Sequence, residues 1–324
     1  MDICICDVTE LECLRAATAP GGPGINQTGG SQLLAPGATS VGPACRSRVK
    51  ALGSKSKTLH VAVPSAKDRL TLPDVACHAL GKATTPESYI DFGGGIIGLS
   101  IEHFYVSICC RLSFVQRMLL AYELCGYYTI VPNPDYDEEA KSGEKAYKAK
   151  AVARAPLATV ERLRTFAKNN PQIRGSKLAL KALKYAADSA RSPEEARLAI
   201  VMLLPHSMGG YGRGPLVMDY ASTREETLKK CDIFLLIGRI DIEYQSDLYH
   251  ASREALRSDS KRANALSALG IPVVTVTSEE LRDPELSIPL WSTWESCKTA
   301  SCVLGRAALP RSARLCGMRC LTRW

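Results

Sequence analysis

The stretch Cys231-Asp232-Ile233-Phe234-Leu235-Leu236-Ile237-Gly238-Arg239-Ile240-Asp241-Ile242-Glu243-Tyr244-Gln245 concentrates side chains suited to metal-assisted hydrolysis. It reads as two short strands meeting at Gly238. In the second, Ile240, Ile242 and Tyr244 alternate with Asp241, Glu243 and Gln245, so the polar three share one face. Asp232 on the first strand can approach Glu243 across the hairpin. An acidic pair on adjacent strands suits Mg²⁺, which takes hard oxygen ligands and keeps several waters. A metal so held activates water and neutralises charge on a phosphate. The competing reading is a solvated face: antiparallel sheets commonly keep one side wet, and carboxylates there need no function.

The flanking elements must position these groups. Ser192-Pro193-Glu194-Glu195 opens a helix running to about Leu204. Ser at N-cap, Pro at N1 and Glu at N3 make a capping box, which by itself accounts for Glu195. Gly209 to Pro215 is a glycine-rich loop able to approach a ligand closely. His250 falls at a strand end. A helix from about Ser252 to Leu269 carries Leu256, Ala263, Leu266 and Leu269 on one stripe, and Gly270 ends it. Within it, Asp259 and Arg262 at i,i+3 spacing also make an ordinary surface pair. Ile271 to Thr277 reads as a buried strand, with Ser278 capping a short helix. This order predicts an α/β fold, a mixed sheet flanked by helices.

Four blocks in this region carry a family resemblance. They are Ser192-Pro193-Glu194-Glu195-Ala196-Arg197-Leu198; Cys231-Asp232-Ile233-Phe234; Ile242-Glu243-Tyr244-Gln245-Ser246-Asp247 running to Tyr249-His250; and Asp259-Ser260-Lys261-Arg262 with Leu266, Leu269-Gly270 and Val273-Val274-Thr275-Val276-Thr277. Their ordered set, over about residues 188–285, resembles the very-short-patch-repair-like branch of the PD-(D/E)XK nuclease superfamily. It is similar to small bacterial proteins that carry this domain at the C-terminus, some related to abortive-infection antitoxins. The resemblance implies a restriction-endonuclease-like fold with Asp232 and Glu243 as the Mg²⁺-binding pair. It also implies Glu195 as the helix-borne acid, with His250, Asp259 and Arg262 lining or bracing the site. The superfamily's lysine position, two after the Glu, is Gln245 here. Gln hydrogen-bonds a water but supplies no charge, a departure that bears on cleavage more than on fold.

Upstream, the chain is divided by composition. Thr18 to Pro43 is dominated by Gly, Pro, Ser and Thr, so residues 1–57 read as flexible or disordered, with one short helix near Glu10–Ala17. Residues 58–131 read as a small mixed α+β unit: a strand from Leu59 ending at Pro64, two strands around Gly93–Gly95, and a helix capped by Ser113 and ended by Gly126. Gly93, Gly95 and Gly98 fit a dinucleotide-binding pattern by letter, but a turn between strands explains them better. Residues 132–154 read as a linker, 155–190 as a basic helical segment, 191–285 as the endonuclease-like domain and 286–324 as a poorly structured tail. Cys297, Cys302, Cys316 and Cys320 in that tail lack the CxxC spacing of a zinc site.

The formal charge of +8 is unevenly spread. Residues 141–191 hold thirteen basic and three acidic side chains, a local excess of +10. Lys177, Lys181 and Lys184 share one helix face, fit to lie along a phosphate backbone or simply to face water. No signal sequence is legible, and the richest apolar stretch, Ile96 to Val131, is broken by Glu102, Arg111, Arg117 and Glu123. A cytoplasmic chain with reduced thiols, and no membrane span, is the expectation. Three functions follow: a Mg²⁺-dependent DNA endonuclease; a non-catalytic DNA-binding antitoxin or regulator on a degenerate nuclease fold; or an interaction protein whose basic surface meets a protein partner or RNA.

Overall fold

The computed structural model describes residues 3–28, 41–80, 89–133, 149–222, 229–245, 266 and 270–282. The chain is α/β and divides into two compact units, 1–184 and 185–324.

The first unit is built on a six-stranded mixed sheet. Its strands are β1 (Ile3–Ile5), β2 (Asn26–Thr28), β3 (Leu59–Val63), β4 (Val75–Ala79), β5 (Tyr89–Gly93) and β6 (Ile96–Leu99). The order is β2-β5-β6-β1-β3-β4. β1 runs parallel to β6 and antiparallel to β3, and β3 is parallel to the edge strand β4. Helix α1 (Asp7–Thr18) leaves β1 directly, and α2 (Pro43–Ala51) precedes β3. β5 and β6 form a hairpin through the positive-φ glycines 93–95, as a turn requires.

The amino-terminal reading is therefore corrected. Residues 1–57 contribute the inner strand β1, the edge strand β2 and two helices to the first unit, and Ile3, Ile5, Cys13 and Leu14 are buried. A three-residue strand is too short to show a period, and the adjacent Gly/Pro-rich run dominates the composition. Most of that run, 29–40, lies outside the described residues. Nor does 58–131 stand alone: it shares its sheet with β1 and β2. The 132–154 stretch is not wholly linker, because β8 (Ala149–Ala153) pairs antiparallel with β7 (Tyr128–Pro132).

Four helices complete this unit: α3 (Ile101–Ile108), α4 (Phe114–Cys125), α5 (Val160–Asn169) and α6 (Ser176–Leu183). Ser113 caps α4 reciprocally with Gln116, and Gly126 follows it. Phe104, Tyr105, Tyr122 and Tyr128 are fully buried in the core. α6 ends at Leu183, short of the predicted Ala190. The basic helices thus pack against α3 and α4 in the first unit rather than leading into the second. At the start of α6, a Cβ on Gly175 would collide with the Val106 carbonyl oxygen. Gly175→Ala forces α3 and α6 apart and destabilises the unit by about 1–3 kcal/mol; urea denaturation followed by circular dichroism measures the loss.

In the second unit, α7 (Pro193–Leu203) precedes a meander of β9 (Leu216–Ser222), β10 (Lys229–Leu235) and β11 (Ile240–Gln245). β12 (Val273–Thr277) then joins β11 in parallel, giving the order β12-β11-β10-β9. A short helix α8 (Ser278–Arg282) ends the described chain. Its cap is Thr277, whose hydroxyl accepts the Glu280 amide and whose own amide donates to the Glu280 carboxylate, rather than the predicted Ser278. Cys231, Phe234, Leu266 and Ile271 form a core cluster, and Tyr220 stacks on Phe234 with ring centroids 4.3 Å apart. The 209–215 loop folds back onto a helix end. The amides of Tyr211, Gly212 and Arg213 donate to the carbonyls of Val201, Leu204 and Met202, satisfying the C-terminus of α7.

Candidate functional sites

In the β10–β11 ladder Ile233 pairs with Ile242, Phe234 with Asp241 and Leu235 with Ile240. Continuing that register sets Asp232 opposite Glu243, where cross-strand side chains are near neighbours. The Asp232 carboxylate accepts the Tyr244 amide at 3.4 Å. Asp241 is fully buried, and Glu243 and Gln245 are half-buried, so this is not an ordinary wet face.

Glu195 reaches the same region from α7. Ser192 caps the helix as predicted, but Glu195 returns the contact to the Arg191 amide and the Ser192 hydroxyl rather than to the Ser192 amide of a reciprocal box. It accepts the Arg191 amide at 2.9 Å and the Ser192 hydroxyl at 3.1 Å, while its own amide donates to Ser192 Oγ. Burial first, and then the negative charge of Asp232, raise its pKa to about 7. A carboxyl poised there is matched to proton transfer near neutrality.

Asp219 on β9 carries no sequence signal of its own, being a lone acid after the apolar run Leu216-Val217-Met218. It adopts φ 50° and receives a bidentate grip from Arg191, 3.0 and 2.9 Å, with Lys230 at 3.4 Å. Burial pushes the Asp219 carboxyl up, but Arg191 and Lys230 outweigh it and hold it below the usual range. Arg191 therefore joins β9 to the start of α7 through its side chain and its amide.

The other predicted residues belong to the first unit or lie outside the described residues. Lys177, Lys181 and Lys184 are exposed, as expected, but α6 belongs to the first unit, with Lys181 Nζ 5.5 Å from the Phe114 ring centroid. His250, Asp259, Arg262 and the four tail cysteines lie outside the described residues.

Glu195 links pH to stability in a defined direction. In EDTA, between about pH 4.5 and 7, the folded chain keeps a proton that the unfolded chain releases. Stability of the second unit then falls as pH rises through that window, by up to about 3 kcal/mol. Glu195→Gln keeps an acceptor for the Arg191 amide, presents its NH2 to the Ser192 hydroxyl, which can accept, and cannot ionise. It is expected to match wild type near pH 4 and to exceed it at pH 8, read as urea midpoints at both pH values.

The first unit offers a different donor set. Asp7, His60 and His78 place their ligand atoms within 4.8 Å of one another, a grouping that can hold a metal ion. Among the described residues, Glu195, Asp232 and Glu243 are not drawn in so tightly.

Comparison with known proteins found no matching family model, no matching curated protein and no matching solved structure. Among the described residues, no helix is long and apolar enough to cross a membrane.

Proposed function

We propose that the second unit is a Mg²⁺-dependent endonuclease-like domain that hydrolyses phosphodiester bonds in DNA. The observation that carries this reading is the β10–β11 register, which sets Asp232 across from Glu243, with Glu195 of α7 near enough to Asp232 for that charge to raise its pKa. Asp232 and Glu243 would hold Mg²⁺, for which carboxylate oxygens are the fitting donors. When bound, the metal supplies charge stabilisation to the phosphate and an activated water. Glu195, already poised near neutrality, takes or gives a proton at its carboxyl oxygens. Gln245, two residues beyond Glu243 on the same face, orients water through its amide. The exposed Lys177, Lys181 and Lys184, together with Arg262, would engage the phosphate backbone.

Gln245 supports a second reading. A site without the superfamily's lysine charge fits a non-catalytic antitoxin or regulator that binds DNA on the same fold. The two separate in one experiment: the full chain is incubated with double- and single-stranded DNA in Mg²⁺ or Mn²⁺, beside EDTA. Metal-dependent cutting supports the nuclease. Binding without cutting, indifferent to Mg²⁺ and falling steeply with salt, supports the regulator. Neither cutting nor binding at low salt removes DNA from both readings.

A further inference from the structure

Asp7, His60 and His78 come from three segments of the first unit: the entry to α1, the inner strand β3 and the edge strand β4. In the β3–β4 ladder Ala62 pairs with His78, and His60 lies two residues before Ala62, so both imidazoles project from the same sheet face. His60 Nδ1 and His78 Nε2 are 3.0 Å apart, and His78 Nε2 is 3.9 Å from Asp7 Oδ2. A tetrahedral ion with bonds of about 2.0–2.1 Å holds its ligand atoms about 3.4 Å apart. The two measured separations bracket that spacing.

We propose that Asp7, His60 and His78 form a binding site for a divalent transition-metal ion of the Zn²⁺ class, separate from the Mg²⁺ site proposed in the second unit. Two imidazole nitrogens and one carboxylate oxygen favour a borderline ion over the hard cations Mg²⁺ and Ca²⁺.

The surroundings hold Asp7 and His60 in place. Asp7 sits at φ 57°, a left-handed conformation that Asp adopts more readily than most residues. Its Oδ1 accepts the Val8 amide at 2.8 Å, while Oδ2 faces His78 and pairs with Arg111. Arg111 thus orients Asp7, and a bound ion would share Oδ2 with its guanidinium. The His60 amide donates to Thr9 Oγ1 at 3.0 Å, and its carbonyl accepts the Cys6 amide at 3.1 Å. Asp7 and His60 are buried, but the His78 side chain is 28% exposed. Solvent therefore reaches the site on the β4 side, and a three-ligand ion keeps a position there for water or a small ligand.

Free thiols would compete for such metals, and all nine cysteines among the described residues are unbridged. Co²⁺ is therefore the probe, because a thiolate-to-cobalt charge-transfer band reports sulfur ligation. Metal-stripped, reduced full-length chain is dialysed against graded Co²⁺ and the bound metal is counted. The proposal expects a binding event without the thiolate band, weakened by at least about tenfold in His78→Ala and unchanged in His206→Ala, an exposed histidine outside both proposed sites. Circular dichroism checks that both variants fold. On wild-type chain, bound Co²⁺ must also shield His78 from acylation by diethyl pyrocarbonate, read by peptide mass, a measurement that needs no variant to fold. Equal Co²⁺ binding by folded His78→Ala and wild type, or His78 acylated equally with and without Co²⁺, overturns the site.

Discussion

Replacing Glu123 with Gln is expected to destabilise the first unit by about 3–5 kcal/mol, the cost of breaking a buried ion pair from one side. Glu123 lies on α4 with its side chain 3% exposed, against Arg15 of α1 at 18%. The guanidinium donates twice, Nε to Oε1 at 2.9 Å and an Nη to Oε2 at 2.7 Å. Thr129 Oγ1 and the Ile130 amide donate to the same carboxylate at 3.1 Å each, and Arg154 reaches the Glu123 carbonyl. Burial pushes the Glu123 carboxyl up, but Arg15 and these donors outweigh it and hold it below the usual range. The network thus fastens α1, α4, β7 and the segment after β8. Gln preserves an acceptor for Thr129 and Ile130 but turns an NH2 donor toward the Arg15 guanidinium, so the loss falls on the Arg15 pairing. Urea denaturation should show a lowered midpoint for one transition, with the second unit's unchanged. A loss below about 1 kcal/mol would place this pair among ordinary surface bridges.

Asp232→Asn is the second large effect. It preserves an acceptor for the Tyr244 amide, so the hairpin should fold. It removes one of two carboxylates proposed to hold the metal, and cleavage should fall by roughly 10²–10³-fold or more. The substitution also has a consequence independent of activity. Without the Asp232 charge, Glu195 loses one of the two influences that raise its pKa to about 7. In EDTA, its titration should move down toward the ordinary carboxylate range while burial keeps part of the shift. Carbonyl-carbon NMR of labelled Glu195 reads this directly. An unmoved Glu195 in a folded variant would mean that the two groups do not interact.

Much of the second unit is legible in sequence because its signals are local. Period-two alternation places β11, the Ser192-Pro193 start places α7, and Gly238 marks the turn where φ is 93°. The pairing of Asp232 with Glu243 follows from the hairpin's length. Asp219 is not legible, because its importance comes from Arg191, twenty-eight residues away in sequence. The first unit hides its key parts in the same way. β1 is three residues long, and its burial depends on β3 and β6, which are distant in the chain. His60 and His78 are isolated letters until parallel pairing of β3 and β4 brings them to one face, and Asp7 joins them only through the turn from β1 into α1. No spacing rule encodes three ligands drawn from three segments. The lysine stripe shows the converse: α6 presents it as predicted, but tertiary packing assigns that helix to the other unit.

The most direct test of the nuclease reading is Mg²⁺-dependent DNA cleavage by wild type, Asp232→Asn and Glu243→Gln, compared at equal concentration with folding checked for each. Cutting by wild type that EDTA stops and that both variants lose is the predicted result. Equal cutting by all three proteins, or cutting that persists in EDTA, would contradict a metal site on the β10–β11 hairpin.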